Sequence, residues 1–380
     1  MTSILFCYSN TGGGHKSAMK AIVAALEEVW IEKTNSDAPN IVLEDIIENS
    51  NKMNDFFVIF YNFLLRYKQD WVKYYYNFIE WSKPNSSEFG FIMCSSYIKK
   101  VLRASKPDIV VSVHPMVNHY VARCLKELGM TNTKLLVVVT DPNGKFWTGW
   151  ACQDADLTIA PNDLAKKRLM NLGLPENKIK VIGMPVEPVY TRPASKSRQA
   201  WLTEVGLQPT CLTVCLTGGS AGGGKILDIY RSLKKSTKKI QIVVLCGKNK
   251  KLVEQMQVER KSSPHPTAVL LYADSMSDVM NASDLLITKC GGLTTFEAIA
   301  RRIPMAIDMI TEPMPQEEDT ARMLIETGLA QPVEKPDDII AIVEKMELNL
   351  NANYKPIPKD HNLDRTNAVF EIADEIIASR

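Results

Sequence analysis

The 380-residue sequence has no long apolar run: the longest, Phe56 to Leu65, is broken by Asn62 and closed by Arg66. A membrane-spanning helix needs about 20 residues, so a chain of this kind that meets a bilayer is expected to lie on it. Nor is there a surplus of one charge. Lys and Arg total 45 against 43 Asp and Glu, a net of +2. That supplies no global field for nucleic acid and leaves any anionic partner to a local patch. The eight cysteines (Cys7, Cys94, Cys124, Cys152, Cys211, Cys215, Cys246 and Cys290) include no CxxC pair and no metal-like spacing. Several lie in apolar, strand-like runs where a free thiol acts as a small hydrophobe, a pattern that suits a reducing cytosol rather than a disulfide scaffold. A secretory leader is not expected either, because Ser3 to Ser9 lacks a basic n-region and runs into glycines. The expected location is cytoplasmic, with peripheral attachment to a membrane. Solenoid-length repeats are absent.

What is present is a globular balance of 45% apolar and 23% charged residues, with length enough for two domains. Short β-branched runs alternate with amphipathic segments. Strands are predicted at Ile4–Tyr8, Ile41–Asp45, Ile109–Val113, Leu135–Thr140, Leu157–Ala160 and Lys180–Ile182, then at Leu212–Thr217, Ile240–Cys246, Ala268–Tyr272, Leu285–Thr288 and Met305–Ile310. Most are continuously apolar, as strands buried on both faces of a parallel sheet must be. The rhythm restarts after a stretch punctuated by Pro185, Pro188, Pro193 and Pro209, which reads as a linker. The fold class expected is α/β, with two facing, doubly wound, Rossmann-like domains over residues 1–190 and 191–360. A last helix within 361–380 is placed to return to the first domain. Such a pair puts a ligand cleft at the carboxyl ends of its strands, and the informative motifs follow strands.

The first strand leads into Ser9-Asn10-Thr11-Gly12-Gly13-Gly14-His15 and a helix-like Lys16–Trp30. The glycines let backbone approach a ligand, and the helix start favours an anion. The spacing is neither GxGxxG nor a Walker loop. His15 can take a proton near neutral pH, although a lone histidine at a helix start is more often a helper or bystander than a base.

The strand Leu212–Thr217 ends in Gly218-Gly219-Ser220-Ala221-Gly222-Gly223-Gly224-Lys225. Gly219 to Lys225 satisfies GxxxxGK, but Ile226 stands where a P-loop needs Ser or Thr for magnesium. The next strand runs into Gly247 without the acid that would complete a metal site. The alternative is a loop whose amides face a diphosphate. Further on, Cys290-Gly291-Gly292-Leu293-Thr294-Thr295-Phe296-Glu297 ends a strand and starts a helix, offering amides and hydroxyls to phosphate oxygens. Glu297 suits either ribose hydroxyls or the helix dipole.

In the segment after the second strand, Phe57, Phe60, Leu64, Tyr67, Trp71, Tyr74, Phe78 and Trp81 recur at three- and four-residue spacing, one face of a helix or of two joined helices. Such a stripe is normally core. With Arg66, Lys68, Lys73 and Lys83 among its members it equally suits a membrane interface, and Lys99, Lys100, Arg103 and Lys106 extend a basic rim toward anionic lipid. His114-Pro115 and the loop Thr140-Asp141-Pro142-Asn143-Gly144-Lys145-Phe146-Trp147 follow two other strands. His114 and Asp141 read as acceptor-orienting residues or as packing and capping ones.

Thr11-Gly12-Gly13-Gly14-His15 with Ser17-Ala18-x-x-Ala21-Ile22 resembles the opening of the monogalactosyldiacylglycerol synthase and bacterial diacylglycerol glucosyltransferase family, relatives of the peptidoglycan lipid GlcNAc-transferase. Tyr272-Ala273, Ser283-Asp284-Leu285-Leu286-Ile287-Thr288-Lys289 and Cys290 to Ala298 follow the family order. The resemblance spans nearly the whole chain and is weakest at 30–105. It implies a GT-B fold and an inverting transfer of glucose or galactose from UDP-glucose or UDP-galactose to diacylglycerol at an anionic membrane. His15 would be the base, and no cofactor or divalent ion would be needed, there being no Asp-x-Asp at the end of a strand. It further implies donor contacts from Gly14, Gly218, Gly219, Ser220, Gly222, Gly247, Tyr272, Ala273, Gly291, Gly292, Leu293, Thr294, Glu297, Gln316 and Glu317. Phe60, Leu64, Trp71, His114, Asp141 and Trp147 would serve the acceptor and membrane side. The chain departs from the family pattern at Pro315 (glycine in relatives), Thr320 (asparagine) and Lys145-Phe146 (a histidine before the tryptophan). These departures leave two other readings: a polyprenyl-linked or soluble acceptor, and a nucleotide-sugar or lipid-binding protein without transferase activity.

Overall fold

The computed structural model describes residues 1–11, 13–68, 71–82, 87–219, 222–310, 313, 315–346 and 367–380. Two compact units emerge. One comprises Met1–Phe63, Trp71–Pro188 and Arg365–Arg380, the other Leu64–Asp70 and Val189–Asp364.

The first unit runs β1 (Ser3–Tyr8), α1 (Gly14–Thr34), β2 (Asn40–Asp45), α2 (Ile46–Ser50), α3 (Lys52–Tyr67), α4 (Val72–Ser82), α5 (Glu88–Ser105), β3 (Ile109–Ser112), α6 (Asn118–Glu127), β4 (Lys134–Val138), β5 (Leu157–Ala160), α7 (Asp163–Asn171) and β6 (Ile179–Val181). Its six strands pair in parallel in the order β2-β1-β3-β4-β5-β6. The central strands β1, β3 and β4 are apolar apart from residues at their ends, such as Ser112 and Lys134, because both faces are covered. Leu5, Cys7, Val110 and Val137 pack with α5 and α6 residues such as Ile98 and Val121. The alternate residues Ile4, Phe6, Val111 and Val138 pack with Ile22 and Leu26 of α1 on the other face. That second core is completed by the C-terminal helix Ala368–Ala378, which contributes Val369, Ile372 and Ile376. Each such buried side chain is worth about 1.5–3 kcal/mol of transfer free energy. An ion pair from Lys180 to Glu375 at 2.6 Å and another from Lys33 to Asp374 flank the contact.

The second unit runs α8 (Arg198–Glu204), β7 (Leu212–Thr217), α9 (Ile226–Leu233), β8 (Ile240–Leu245), α10 (Lys250–Glu259), β9 (Thr267–Leu270), α11 (Met276–Ala282), β10 (Leu285–Thr288), α12 (Gly292–Arg301), β11 (Met305–Asp308), α13 (Pro315–Glu326), β12 (Ala330–Val333) and α14 (Asp338–Glu344). The sheet order is β12-β11-β10-β7-β8-β9, again parallel. The strand β12 is additional to those predicted. Its Ala-Gln-Pro-Val sequence lacks a continuous apolar run, and Pro332 is tolerated because β12 is an edge strand. Arg198 fastens α8 to the strand starts: its guanidinium donates to Asp284 at 2.9 Å and to the carbonyls of Pro209, Cys211 and Ala282.

Among the described residues, no helix is long and apolar enough to cross a membrane.

Candidate active site

Each unit gathers its candidate residues at the carboxyl ends of its own strands. In the first, β1 turns through Gly13, whose φ of 96° is the left-handed conformation glycine permits, and α1 opens at Gly14 with His15 in its first turn. The Nδ1 of His15 lies 2.9 Å from the carbonyl oxygen of Val113, just past β3, and 3.0 Å from Thr140 Oγ1, just past β4. A carbonyl only accepts, so Nδ1 carries the proton, and Nε2 is left with its lone pair. Among the described residues Nε2 has no hydrogen-bond partner. Burial pushes the imidazole pKa down to about 4, partly offset by the Val113 carbonyl, so His15 is neutral and basic in form throughout the physiological range.

The His15 ring is walled in. His114 meets it edge to face, with centroids 4.5 Å apart at 70°, and Trp150 lies 6.0 Å away. The indole N–H of Trp150 donates to Asp141 Oδ2 at 2.7 Å. Desolvation nevertheless raises the Asp141 carboxyl to about 6. Thr11, Thr140 and Trp150 were not singled out in the sequence; they approach His15 or His114 only because three strand ends converge.

In the second unit the turn after β7 is built by close backbone packing. A Cβ on Gly218 would come within 1.9 Å of the Gly223 carbonyl oxygen, and one on Gly222 within 2.0 Å of that of Cys246. Asn249 donates to the Gly222 carbonyl at 3.1 Å, and Asp308, at the end of β11, accepts from the Lys225 amide at 2.8 Å. The loop is therefore fixed from the segment after β8 and from the end of β11. Gly219 and Gly247 hold left-handed φ values of 70° and 58°. Ser220 lies outside the described residues, as does the side chain of Gln316.

Gly291 caps α12, whose opening amides at Gly292, Leu293 and Thr294 have no intrahelical acceptors. Thr294 and Glu297 are partly exposed at i, i+3 spacing on one face of the helix, while Leu293 is buried. Tyr272 is exposed and Ala273 half-buried in the loop after β9. Pro315 begins α13, a position where its missing N–H costs nothing, and Glu317 lies in the first turn. Thr320 is buried, and its hydroxyl has no partner among the described residues. Lys289, part of the quoted motif but not singled out as a site residue, reaches toward Gly219 and pairs with Glu317 at 3.5 Å.

On the membrane-side candidates the structure makes two corrections. The aromatic segment is not core: Phe60 and Trp71 are exposed, as are Phe56, Phe63, Tyr67, Tyr74, Phe78 and Trp81. Leu64, however, is buried with Val58 and Leu65. At 100° per residue Leu64 falls between the exposed Phe60 and Phe57, so its burial is not set by helical spacing alone. Trp147 is likewise buried, next to Gly149. It is a packing residue of the loop after β4 and not part of an exposed surface.

Comparison with known proteins gives a match to the monogalactosyldiacylglycerol (MGDG) synthase family over residues 15–186 and to the glycosyltransferase family 28 C-terminal domain over 213–369. The monogalactosyldiacylglycerol synthase of Spinacia oleracea is 27% identical over 98% of this chain and 72% of its own length. The processive diacylglycerol beta-glucosyltransferase of Staphylococcus carnosus is 23% identical over 92% and 85%. The crystal structure of MurG from Acinetobacter baumannii superposes with a TM-score of 0.62 at 16% identity over 100% of both chains; the likeness is one of fold, the GT-B type.

Proposed function

For a glycosyltransferase that belongs to the monogalactosyldiacylglycerol synthase family, we propose transfer of glucose or galactose from a UDP-sugar to the free hydroxyl of diacylglycerol, with inversion, at a cytoplasmic membrane surface. The observation that carries this reading is the His15 imidazole, proton fixed on Nδ1 and lone pair free on Nε2. Nε2 takes the proton of the lipid hydroxyl as its oxygen bonds to the anomeric carbon. The bond from that carbon to the diphosphate oxygen breaks on the opposite face, and UDP leaves with the electron pair. The proton then passes from His15 to solvent.

The second unit supplies the groups that favour UDP as a leaving group: the amides of the turn at Gly218, Gly219 and Gly222, the opening of α12 and the ammonium of Lys289. Glu297 accepts from the ribose, Tyr272 and Ala273 border the uracil, and Gln316 and Glu317 contact the sugar. Fixed donors of this kind do the work that a divalent ion does in other transferases.

The exposed faces of α3 and α4 are the membrane contact. Their aromatic rings suit the headgroup boundary, with Lys68 and Lys100 exposed to anionic lipid, whereas Lys99 is held by Glu127 at 2.6 Å.

The test is transfer from UDP-glucose and UDP-galactose to diacylglycerol in anionic liposomes with chelator present. A glycolipid product is expected, and His15→Ala should reduce turnover by roughly 10²–10⁴-fold while UDP binding is retained. Full activity in His15→Ala overturns the role of the base; a folded, UDP-binding protein that makes no glycolipid overturns the acceptor.

A further inference from the structure

His114 sits where an acceptor-contacting residue is expected, but its ring has no nitrogen to spare. The Met116 amide donates to Nδ1 at 3.3 Å, so Nδ1 is the acceptor and the ring proton resides on Nε2, which donates to Thr11 Oγ1 at 3.0 Å. The ring is buried against the edge of His15. The two imidazoles therefore hold opposite tautomers, His15 protonated on Nδ1 and His114 on Nε2. The backbone that fixes one carries the other, since Val113, whose carbonyl holds His15, immediately precedes His114.

We infer that His114 is a positioning residue for His15 rather than an acceptor contact: clamped between Thr11 and Met116, it walls the His15 ring and keeps Nε2 as the free nitrogen. This inference rests on the proposed role of His15 as base. Two consequences follow from the geometry. Thr11 precedes the glycine turn, so its bond to His114 ties the segment leading into α1 to the end of β3. A flip of the His15 ring about its Cβ–Cγ axis would exchange Nδ1 for a carbon at the Val113 carbonyl, and the edge contact of His114 at 4.5 Å opposes it.

The experiment reads the tautomer directly. Long-range proton–nitrogen correlation spectra of histidine-labelled protein at neutral pH should show His15 as a single Nδ1–H form. In His114→Ala it should become a mixture, and kcat should fall roughly 10- to 100-fold with the donor KM changed by less than about twofold. His114→Gln restores a side-chain donor toward Thr11 and should recover most of both signals. Thr11→Val removes the same bond from the other side and should shift the tautomer in the same sense; it carries the test if His114→Ala does not fold. An unchanged His15 tautomer and kcat in the folded His114→Ala or Thr11→Val variant overturns the inference. Activity in His15→Ala would refute the base instead, and the tautomer spectra remain a separate readout.

Discussion

Lys289 Nζ lies 3.5 Å from a carboxylate oxygen of Glu317, and the Cε of the same lysine lies 3.9 Å from the position a Cβ would take at Gly219. One ammonium thus borders both the turn assigned to the diphosphate and the acid assigned to the sugar. Both side chains are mostly shielded, with 20% and 13% exposure, so the charge acts with little screening. Lys289→Met should weaken UDP binding by roughly 10-fold or more, while uridine, which has no phosphate, binds as before. Titration calorimetry with the two ligands decides the matter; an equal loss for both would show that the lysine supports the fold instead.

The pH dependence of kcat/KM should have an acid limb near the His15 value of about 4 rather than near the ordinary 6.5. Stability follows the same shift. His15 is harder to protonate in the native state, so the unfolded chain binds the proton first and stability is lost as pH falls from about 6.5 through about 4. Asp141 acts in the opposite sense, because its native value of about 6 exceeds its ordinary 3.8 and stability is lost as pH rises through that window. Relative to the parent, His15→Gln should gain stability as pH is lowered from about 7 to about 5, and Asp141→Asn as it is raised from about 4 to about 7. Urea midpoints across that range check both signs.

Replacing exposed aromatics should loosen membrane attachment without loosening the fold. Trp71→Ser and Phe63→Ser should each reduce partition onto anionic liposomes by about 10-fold and leave the thermal midpoint in solution near that of the parent. Leu64→Ala, on the same helix but buried, should instead cost about 2–5 kcal/mol of folding stability. A Leu64 variant that lost liposome binding at unchanged stability would contradict a packing role for Leu64.

Gly222 has φ +66° and no room for a Cβ beside the Cys246 carbonyl. Gly222→Ala should displace the turn, costing about 1–3 kcal/mol and lowering UDP affinity together with it. Urea unfolding and UDP titration on the same sample would show both changes, or neither if the turn is not the nucleotide site.

Much of this molecule is legible in its sequence. Strands such as Leu212–Thr217 announce themselves because both faces are buried and every residue is apolar or small. His15 stands out because glycines precede it. The parts that escaped depend on long-range geometry. Val113 and Thr140 reach His15 across separations of 98 and 125 residues, and no local pattern encodes such a contact. Lys289 lay in a quoted motif, but only folding brings it beside Gly219. The strand β12 was hidden by Gln331 and Pro332, which an edge strand tolerates and a central one would not. Along α3, three- and four-residue spacing identified a helix but gave no sign that Leu64, set between exposed Phe57 and Phe60 around the helix, is buried.

The helix that completes the first unit is separated from the rest of that unit by the whole of Val189–Asp364. On a ribosome adding about 5–20 residues per second, the hydrophobic strip of α1 around Ile22 and Leu26 waits roughly a further 10–35 seconds after Pro188 is made before its cover appears. During that interval the nascent first unit presents an unfinished core to chaperones and to neighbouring chains, whereas the second unit holds all its strands in one unbroken stretch. Birth order and burial order are therefore inverted in this protein: the half that is made first is the half that is finished last.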